Sequence, residues 1–321
     1  MPLCRRGGAG YSGHVSFAGD RSLRHLETPT ELRISRAEIA QMERAAAVLA
    51  DCREQLVANR RTILAEVAPG ATAFDADGLE AWRHYPKGEV YDPASHAQYF
   101  YHVHPADRRL PREHGHFHTF LRAEGMPSGV VPMVLPETAV AEVTPPQGAP
   151  SKRGARDQVS HLVALSLDAQ GEPIRLFTTN RWVTGETWYR AGDVIAMLDR
   201  FAIAAADAAA LRDRWLVAIM QLFRPQIAAL LRRRDATVMA WRRRRRANVF
   251  EDPRLEVTSS LDIDIGAQLA FIDQARAEAA AAAPPAAGLP RMAEGWGECA
   301  EPEIRHTSGS GSNRISGSKV H

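Results

Sequence analysis

Cysteine and lysine are the scarce residues of this 321-residue chain, and each scarcity excludes something. Cys4, Cys52 and Cys299 are odd in number, far apart and never in a Cys-x-x-Cys pair, which argues against both a disulfide framework and a thiolate zinc site. Lysine occurs only at Lys87, Lys152 and Lys319 among 40 basic residues. Such an arginine bias, together with runs of alanine, reads as the codon usage of a GC-rich bacterial genome rather than as a binding signature. No apolar run approaches the roughly 18 residues that span a bilayer. The apolar stretch of a signal peptide does not follow Arg5-Arg6, so the expectation is a cytoplasmic protein without membrane contact. No Gly-Lys pair exists to close a phosphate loop, and no nucleotide cofactor is indicated. The serine elbow Gly-x-Ser-x-Gly and the zinc helix His-Glu-x-x-His are also missing.

What remains is an ordinary globular composition, 45% hydrophobic and 24% charged, with a net charge of +2 that is too small to imply a polyanionic partner. Residues 1–28, rich in Gly, Ser and Arg, read as a disordered lead-in. Residues 29–70 read as one long amphipathic helix. Ser35-Arg-Ala-Glu38 matches a capping box, Ile39, Met42, Leu49, Leu56, Ile63 and Val67 recur at near-helical spacing, and Pro69-Gly70 stops the run. Such a helix can pack on the main domain or on a second copy, giving a homodimer through residues 35–68.

Residues 71–272 are expected to form a single α+β domain. Alternating segments at 95–104, 114–121, 161–168 and 174–179 predict a small antiparallel sheet of about four strands, arranged as two hairpins. A long surface connection at 123–158 separates the hairpins. Helices are expected at 193–201, at 205–224, from Pro225 onward and at about 262–280. Residues 273–321 read as a low-complexity disordered tail.

The chemistry concentrates in the first hairpin. Five of twelve histidines, His102, His104, His114, His116 and His118, fall within seventeen residues. Imidazole is the commonest metal ligand and the side chain that titrates nearest neutral pH. On a strand, alternate residues share a face, so His96, His102 and His104 point one way on the first strand. His114, His116 and His118 share a face on the second. If paired positions sum to an even number, both sets line one surface; an odd sum sends the second set to Tyr99 and Tyr101. Both registers remain open at this point. The even register makes His102, His104, His116 and His118 candidate ligands of iron, manganese or zinc. Glu113 and His114 are then candidate catalytic groups. Glu113 or Glu89 would serve as an oxygen ligand, and His161 as an extra ligand or outer partner. The competing reading is a structural or pH-sensing histidine face.

Two other constellations stand out. Asn180-Arg-Trp-Val-Thr-Gly-Glu-Thr-Trp188 follows the fourth strand and resembles the lining of a ligand pocket. Arg181 is the natural anion partner there, with Asn180, Trp182 and Glu186 beside it. The alternative is a turn at Gly185 with Trp182 and Trp188 in the core. Eight arginines at 232–246 surround Trp241 and could contact nucleic acid, although a solvated helix end is the commoner meaning of such a run.

The segments Ser95-His-Ala-Gln-Tyr-Phe-Tyr-His102, Glu113-His-Gly-His-Phe-His-Thr-Phe120 and 176–188 resemble an uncharacterised bacterial family, a domain of unknown function, over about residues 75–270. The resemblance implies one domain and brings no activity and no site residue. His102-x-His104 followed by Glu113 and a later histidine is also similar to the metal motif of cupins, as Gly125-Met-Pro-Ser-Gly129 is to their second motif. Eight residues separate His104 from Glu113, where cupins use fewer, and no histidine follows Gly129 at the expected distance. That likeness is one of chemistry, not fold. The sequence therefore points to a histidine-ligated metal-dependent enzyme acting on a small polar or anionic molecule. The alternative is a non-enzymatic protein that binds nucleic acid through residues 232–246.

Overall fold

A computed structural model describes residues 34–68, 78–135, 158–204, 210–245 and 248–281. The lead-in 1–28, residues 136–157 of the expected connection and the tail beyond 281 lie outside the described residues. The architecture is α+β, but the sheet has six strands rather than about four. β1 (Tyr85–Tyr91), β2 (Ala97–His102), β3 (Gly115–Arg122), β4 (Val159–Leu167), β5 (Pro173–Thr179) and β6 (Val257–Asp262) pair in sequential antiparallel order. The two additional strands are the edges. β1 holds Pro86 and Gly88, and its pairing with β2 slips between Tyr85 and Val90, where Gly88 and Glu89 have φ of 90° and 64°. Proline is tolerated at an edge, where ladder donors can go unused. β6 reads Val-Thr-Ser-Ser-Leu-Asp, too polar to announce itself as a strand.

The helices among the described residues are α1 (Arg36–Ala58), α2 (Ile63–Val67), α3 (Arg181–Thr184), α4 (Ala191–Leu198), α5 (Leu211–Leu222), α6 (Arg224–Arg245) and α7 (Ile265–Ala281). The capping box forms as expected: the Ser35 hydroxyl accepts from the Glu38 amide, and the Glu38 carboxylate accepts from the Ser35 amide at 2.9 Å. The single long helix does not form, because the chain turns at Arg60 (φ 51°) and restarts as α2. The apolar face of α1, with Ile39, Met42, Leu49 and Cys52, is covered by α5 and α7 of the same chain. α7 lies where a helix is expected, at about 262–280, and runs past residue 272, after which the tail is expected to begin.

The back face of the sheet carries the core. Tyr99, Tyr101, Phe117, Val163, Leu165 and Leu176 are buried there with side chains of α1, α4, α5 and α6. Pro225 sits in the first turn of α6, where its missing N–H costs nothing. The arginine run divides. Arg234 is buried, with its guanidinium over the Trp188 ring at 4.1 Å and an Nη2 bond of 2.5 Å to the Tyr189 carbonyl. Arg242–Arg245 fill the last turn of α6, where cations favour the helix dipole.

A buried polar link from Tyr99 crosses from sheet to helix in this core. The Tyr99 hydroxyl donates to the Asp213 carboxylate and accepts from Arg212 Nε at 3.0 Å, and Tyr99 and Asp213 are both buried. Tyr99→Phe leaves both charged groups one partner short, and a buried group in that state costs about 1–3 kcal/mol. Urea unfolding is expected to show that loss as a lower midpoint with an unchanged slope. An unchanged midpoint would mean the link contributes nothing.

Candidate metal centre

The back-face packing decides the question that alternation leaves open. His102 stands opposite His116, and Phe100 opposite His118, which is the even register. The front face therefore carries His102 on β2 and His116 and His118 on β3. A bulge in β4 between the partners of Thr119 and Phe120 brings His161 to the same side, opposite Phe120. His104 lies just beyond the end of β2, and the Arg109 side chain holds its carbonyl at 2.5 Å. The Trp82 ring lies against the His104 imidazole with centroids 4.4 Å apart. The Trp82 backbone N–H donates a hydrogen bond of 3.0 Å to the Val103 carbonyl, which pins Trp82 there.

His102, His104 and His116 each offer a ring nitrogen, and the three atoms lie within 4.8 Å of one another. This histidine cluster could hold a metal ion. His116 is oriented from outside, since its Nδ1 donates to Glu113 Oε1 at 2.7 Å and the same oxygen accepts from the Ser166 hydroxyl at 3.0 Å. A carboxylate that only accepts fixes the proton on Nδ1 and leaves Nε2 with its lone pair. That Nε2 lies 2.7 Å from Nε2 of His102, while Nδ1 of His102 is buried without any partner. Protein groups alone leave His102 Nδ1 unmatched, while the ring nitrogens of His102 and His116 meet at the distance where a shared proton or a cation can sit between neighbouring imidazoles.

His118 belongs to a second pair. Its Nδ1 lies 3.1 Å from Nε2 of His161, whose Nδ1 approaches the Thr179 hydroxyl at 3.4 Å. Nε2 of His118 is buried without a partner. The structure thus groups three of the four candidate ligands and places the fourth one residue pair along the strands. His114 departs from the expectation. The alternation begins only at Gly115, and His114 Nδ1 lies 2.7 Å from the hydroxyl of Tyr101, a back-face residue.

The side chains of Asn180, Arg181 and Trp182 have partners within the chain. Asn180 caps α3 and donates to the Val249 carbonyl at 2.7 Å, and Trp182 Nε1 donates to the Leu255 carbonyl at 2.9 Å. Both Nε and Nη2 of Arg181 bond Glu251 Oε1, at 3.0 and 2.7 Å. Glu186 reaches the histidines, accepting the His161 backbone N–H at 2.9 Å, and its other oxygen is unpartnered. Gly185 makes the left-handed turn expected of it (φ 67°).

Sequence reasoning missed two neighbours. His84 stacks on Phe100 with centroids 3.7 Å apart and lies 5.8 Å from His102, and its Nδ1 is 2.7 Å from Glu89 Oε1. Arg175 shares the front face through its pairing with Ser166, and period two along Ile174-Arg-Leu-Phe177 is the signal that would have placed it there.

Burial dominates the electrostatics. It holds the imidazoles of His102 and His118 well below their ordinary range, and the neighbouring histidines add to the effect. Burial likewise lowers His104 and His161 to about 3. Glu113 is buried too, yet its bonds from His116 and Ser166 outweigh desolvation and bring it to about 2. Glu186, with one backbone donor, is raised to about 7 by desolvation. In the metal-free protein the four depressed imidazoles stay neutral where the unfolded chain, at 6.5, takes protons. Acidification from pH 6.5 towards 3 therefore removes stability. Glu186, raised to about 7, and Glu256, also raised by burial, act oppositely, but they are two carboxyls against four imidazoles. Urea midpoints of the chelator-treated protein are expected to be lower at pH 5 than at pH 7, and equal or inverted midpoints would contradict the neutral, buried assignment.

No curated protein and no solved structure matches this chain. A family model does, over residues 43–263, from within α1 to just past β6. It therefore takes in all six strands and most of α1, which the resemblance from residue 75 had left out. With more than half its length matched, the chain belongs to the family described as a domain of unknown function, DUF6969.

Proposed function

We propose that His102, His104 and His116 bind one divalent metal ion and that the protein is an enzyme using it on a small polar or anionic substrate. The convergence of three buried or half-buried ring nitrogens within 4.8 Å carries this reading. Three neutral imidazoles cancel none of the ion's charge and leave a coordination position for water or substrate. Such an ion acidifies bound water or polarises a carbonyl.

Donor chemistry narrows the choice of metal. Glu113 and Glu89 each sit on the Nδ1 of a histidine rather than beside the three nitrogens. The inner set is then nitrogen only, which suits zinc or iron(II) better than manganese. Glu113, already ionised and holding two donors, is a poor general base. Its role is to orient His116, as outer carboxylates do for metal-bound imidazoles. The ring of Trp82, about one-third exposed beside His104, offers an apolar wall for a substrate.

Elemental mass spectrometry on tag-free protein tests the reading. Near-stoichiometric metal is expected in the wild type and none in a His102→Ala/His116→Ala variant that keeps its circular dichroism. Glu113→Gln should keep the ligands but bind the metal about 10–100-fold more weakly. No uptake of zinc, iron or manganese after anaerobic loading, or equal content in the double variant, would overturn it.

A further inference from the structure

A cation, Arg175, stands in the same row of the sheet as the candidate ligands, and no described carboxylate lies within ion-pair distance of it. His102, His116, Ser166, Arg175 and Asp262 are successive cross-strand partners on β2 to β6 and so face the same side. Two strand spacings, about 10 Å, separate His116 from Arg175. The side chains close part of that gap around Phe177. The Arg175 guanidinium lies 4.9 Å from the Phe177 ring centre, and the His116 ring lies 5.1 Å from it.

The Arg175 side chain makes no hydrogen bond or ion pair with another described residue. Glu113 attracts the guanidinium from the histidine side, but its Oε1 is bonded to His116 and Ser166 and it makes no hydrogen bond to Arg175. Asp262, its cross-strand partner, is exposed and beyond ion-pair distance. The guanidinium is half-buried, and desolvation disfavours its charge, more than Glu113 and Asp262 compensate. A surface arginine in water bears no such cost. The other front-face arginine, Arg122, does have a partner, since its Nε donates to Gln98 at 2.7 Å. A planar fork of donors left unmatched beside a metal site matches the geometry of a carboxylate or phosphate.

We propose that Arg175 is the anion anchor of this site, so that the substrate is a small oxyanion whose charged oxygens lie on its guanidinium while a second polar group of the same molecule faces His102, His104 and His116. The proposal rests on the metal reading for that second contact but not for the first. Ion and guanidinium together place two positive centres on one face, with the carboxylates of Glu113 and Asp262 acting against the guanidinium, and such a pair favours anions over uncharged analogues of the same shape.

Cobalt(II)-loaded wild type, Arg175→Met and Arg175→Lys are titrated with malonate, inorganic phosphate and uncharged malonamide, read by the visible cobalt spectrum. Wild type should bind malonate or phosphate about ten- to a hundredfold more tightly than Arg175→Met. Arg175→Lys, with charge but no fork, should fall between, and malonamide should bind none of them. Malonate without phosphate would identify a carboxylate substrate, and the reverse a phosphorylated one. Equal cobalt content with equal anion affinity in wild type and variants would overturn the anchor while leaving the metal site standing. If cobalt does not bind at all, the metal reading fails separately. Calorimetric titration of the metal-free chain then decides: anion binding lost in Arg175→Met supports the anchor, and its absence in wild type overturns it. Should Arg175→Met fail to fold, Arg175→Lys alone carries the comparison, with unchanged affinity overturning the proposal.

Discussion

The pairing of His102 with His116 is the constraint from which the rest of the site follows. A slip of one residue would turn the imidazoles into the helix-packed core and expose Tyr99, Tyr101 and Phe117 on the other side. Each large apolar side chain contributes about 1.5–3 kcal/mol when buried, so the back face penalises the slip heavily. The alignment of imidazoles on the front is thus a consequence of apolar packing behind it. Gly115 makes the close approach possible, because a Cβ there would lie 2.5 Å from the His102 carbonyl oxygen and 2.7 Å from the Tyr101 hydroxyl. The glycine between two histidines is a steric requirement of the hairpin.

Two buried glutamates near the histidines behave in opposite ways, and the difference is the number of donors each meets. Glu113 receives an imidazole N–H and a hydroxyl and is ionised at every pH where the protein is of interest. Glu186 receives one backbone N–H, leaves an oxygen unmatched, and titrates near neutrality. Burial alone raises both; hydrogen bonds to the charged form reverse the sign for one. The negative charge next to the three nitrogens is therefore permanent, and the one beside His161 is conditional.

Much of this was legible in the sequence, for physical reasons that also explain what was not. Period two located the four central strands, because each is buried on at least one face and must alternate. The edges escaped: β1 is broken by Pro86 and a bulge, and β6 is mostly hydroxyl side chains. His84 was hidden for the same reason, since it joins the cluster only through β1. Register parity was not readable, because the link from Val103 to His114 includes a 3-10 turn at Ala106–Arg108 and is no tight two-residue turn. Arg181 looked like the free anion partner because it follows a strand among polar residues. Glu251, which holds it, lies 70 residues further along the chain, a distance at which no local pattern operates. His114 shared the right spacing but stands one residue before the strand begins, and alternation has no meaning there.

The strongest argument that the front face is a site comes from comparing it with the back. The back face is filled by aromatic and aliphatic side chains, tied to the helices by the satisfied Tyr99–Asp213–Arg212 link. The front face is just as buried at Phe100, His102, His118 and His161, yet six histidines gather there with His84 and His104, two of them with unmatched buried nitrogens, beside a half-buried guanidinium without an ion pair. Valine and leucine on those strand positions would have made a more stable sheet, because each unmatched buried polar group costs on the order of 1–3 kcal/mol. The back face has unmatched atoms of its own, Ser160 Oγ and Gln226 Oε1, but only the front face gathers imidazoles and a guanidinium side by side, and that concentration is the feature the proposed binding would explain. The signs agree as well: lone pairs gathered at one end of the row call for a cation, and unpaired donors two strands away call for an anion.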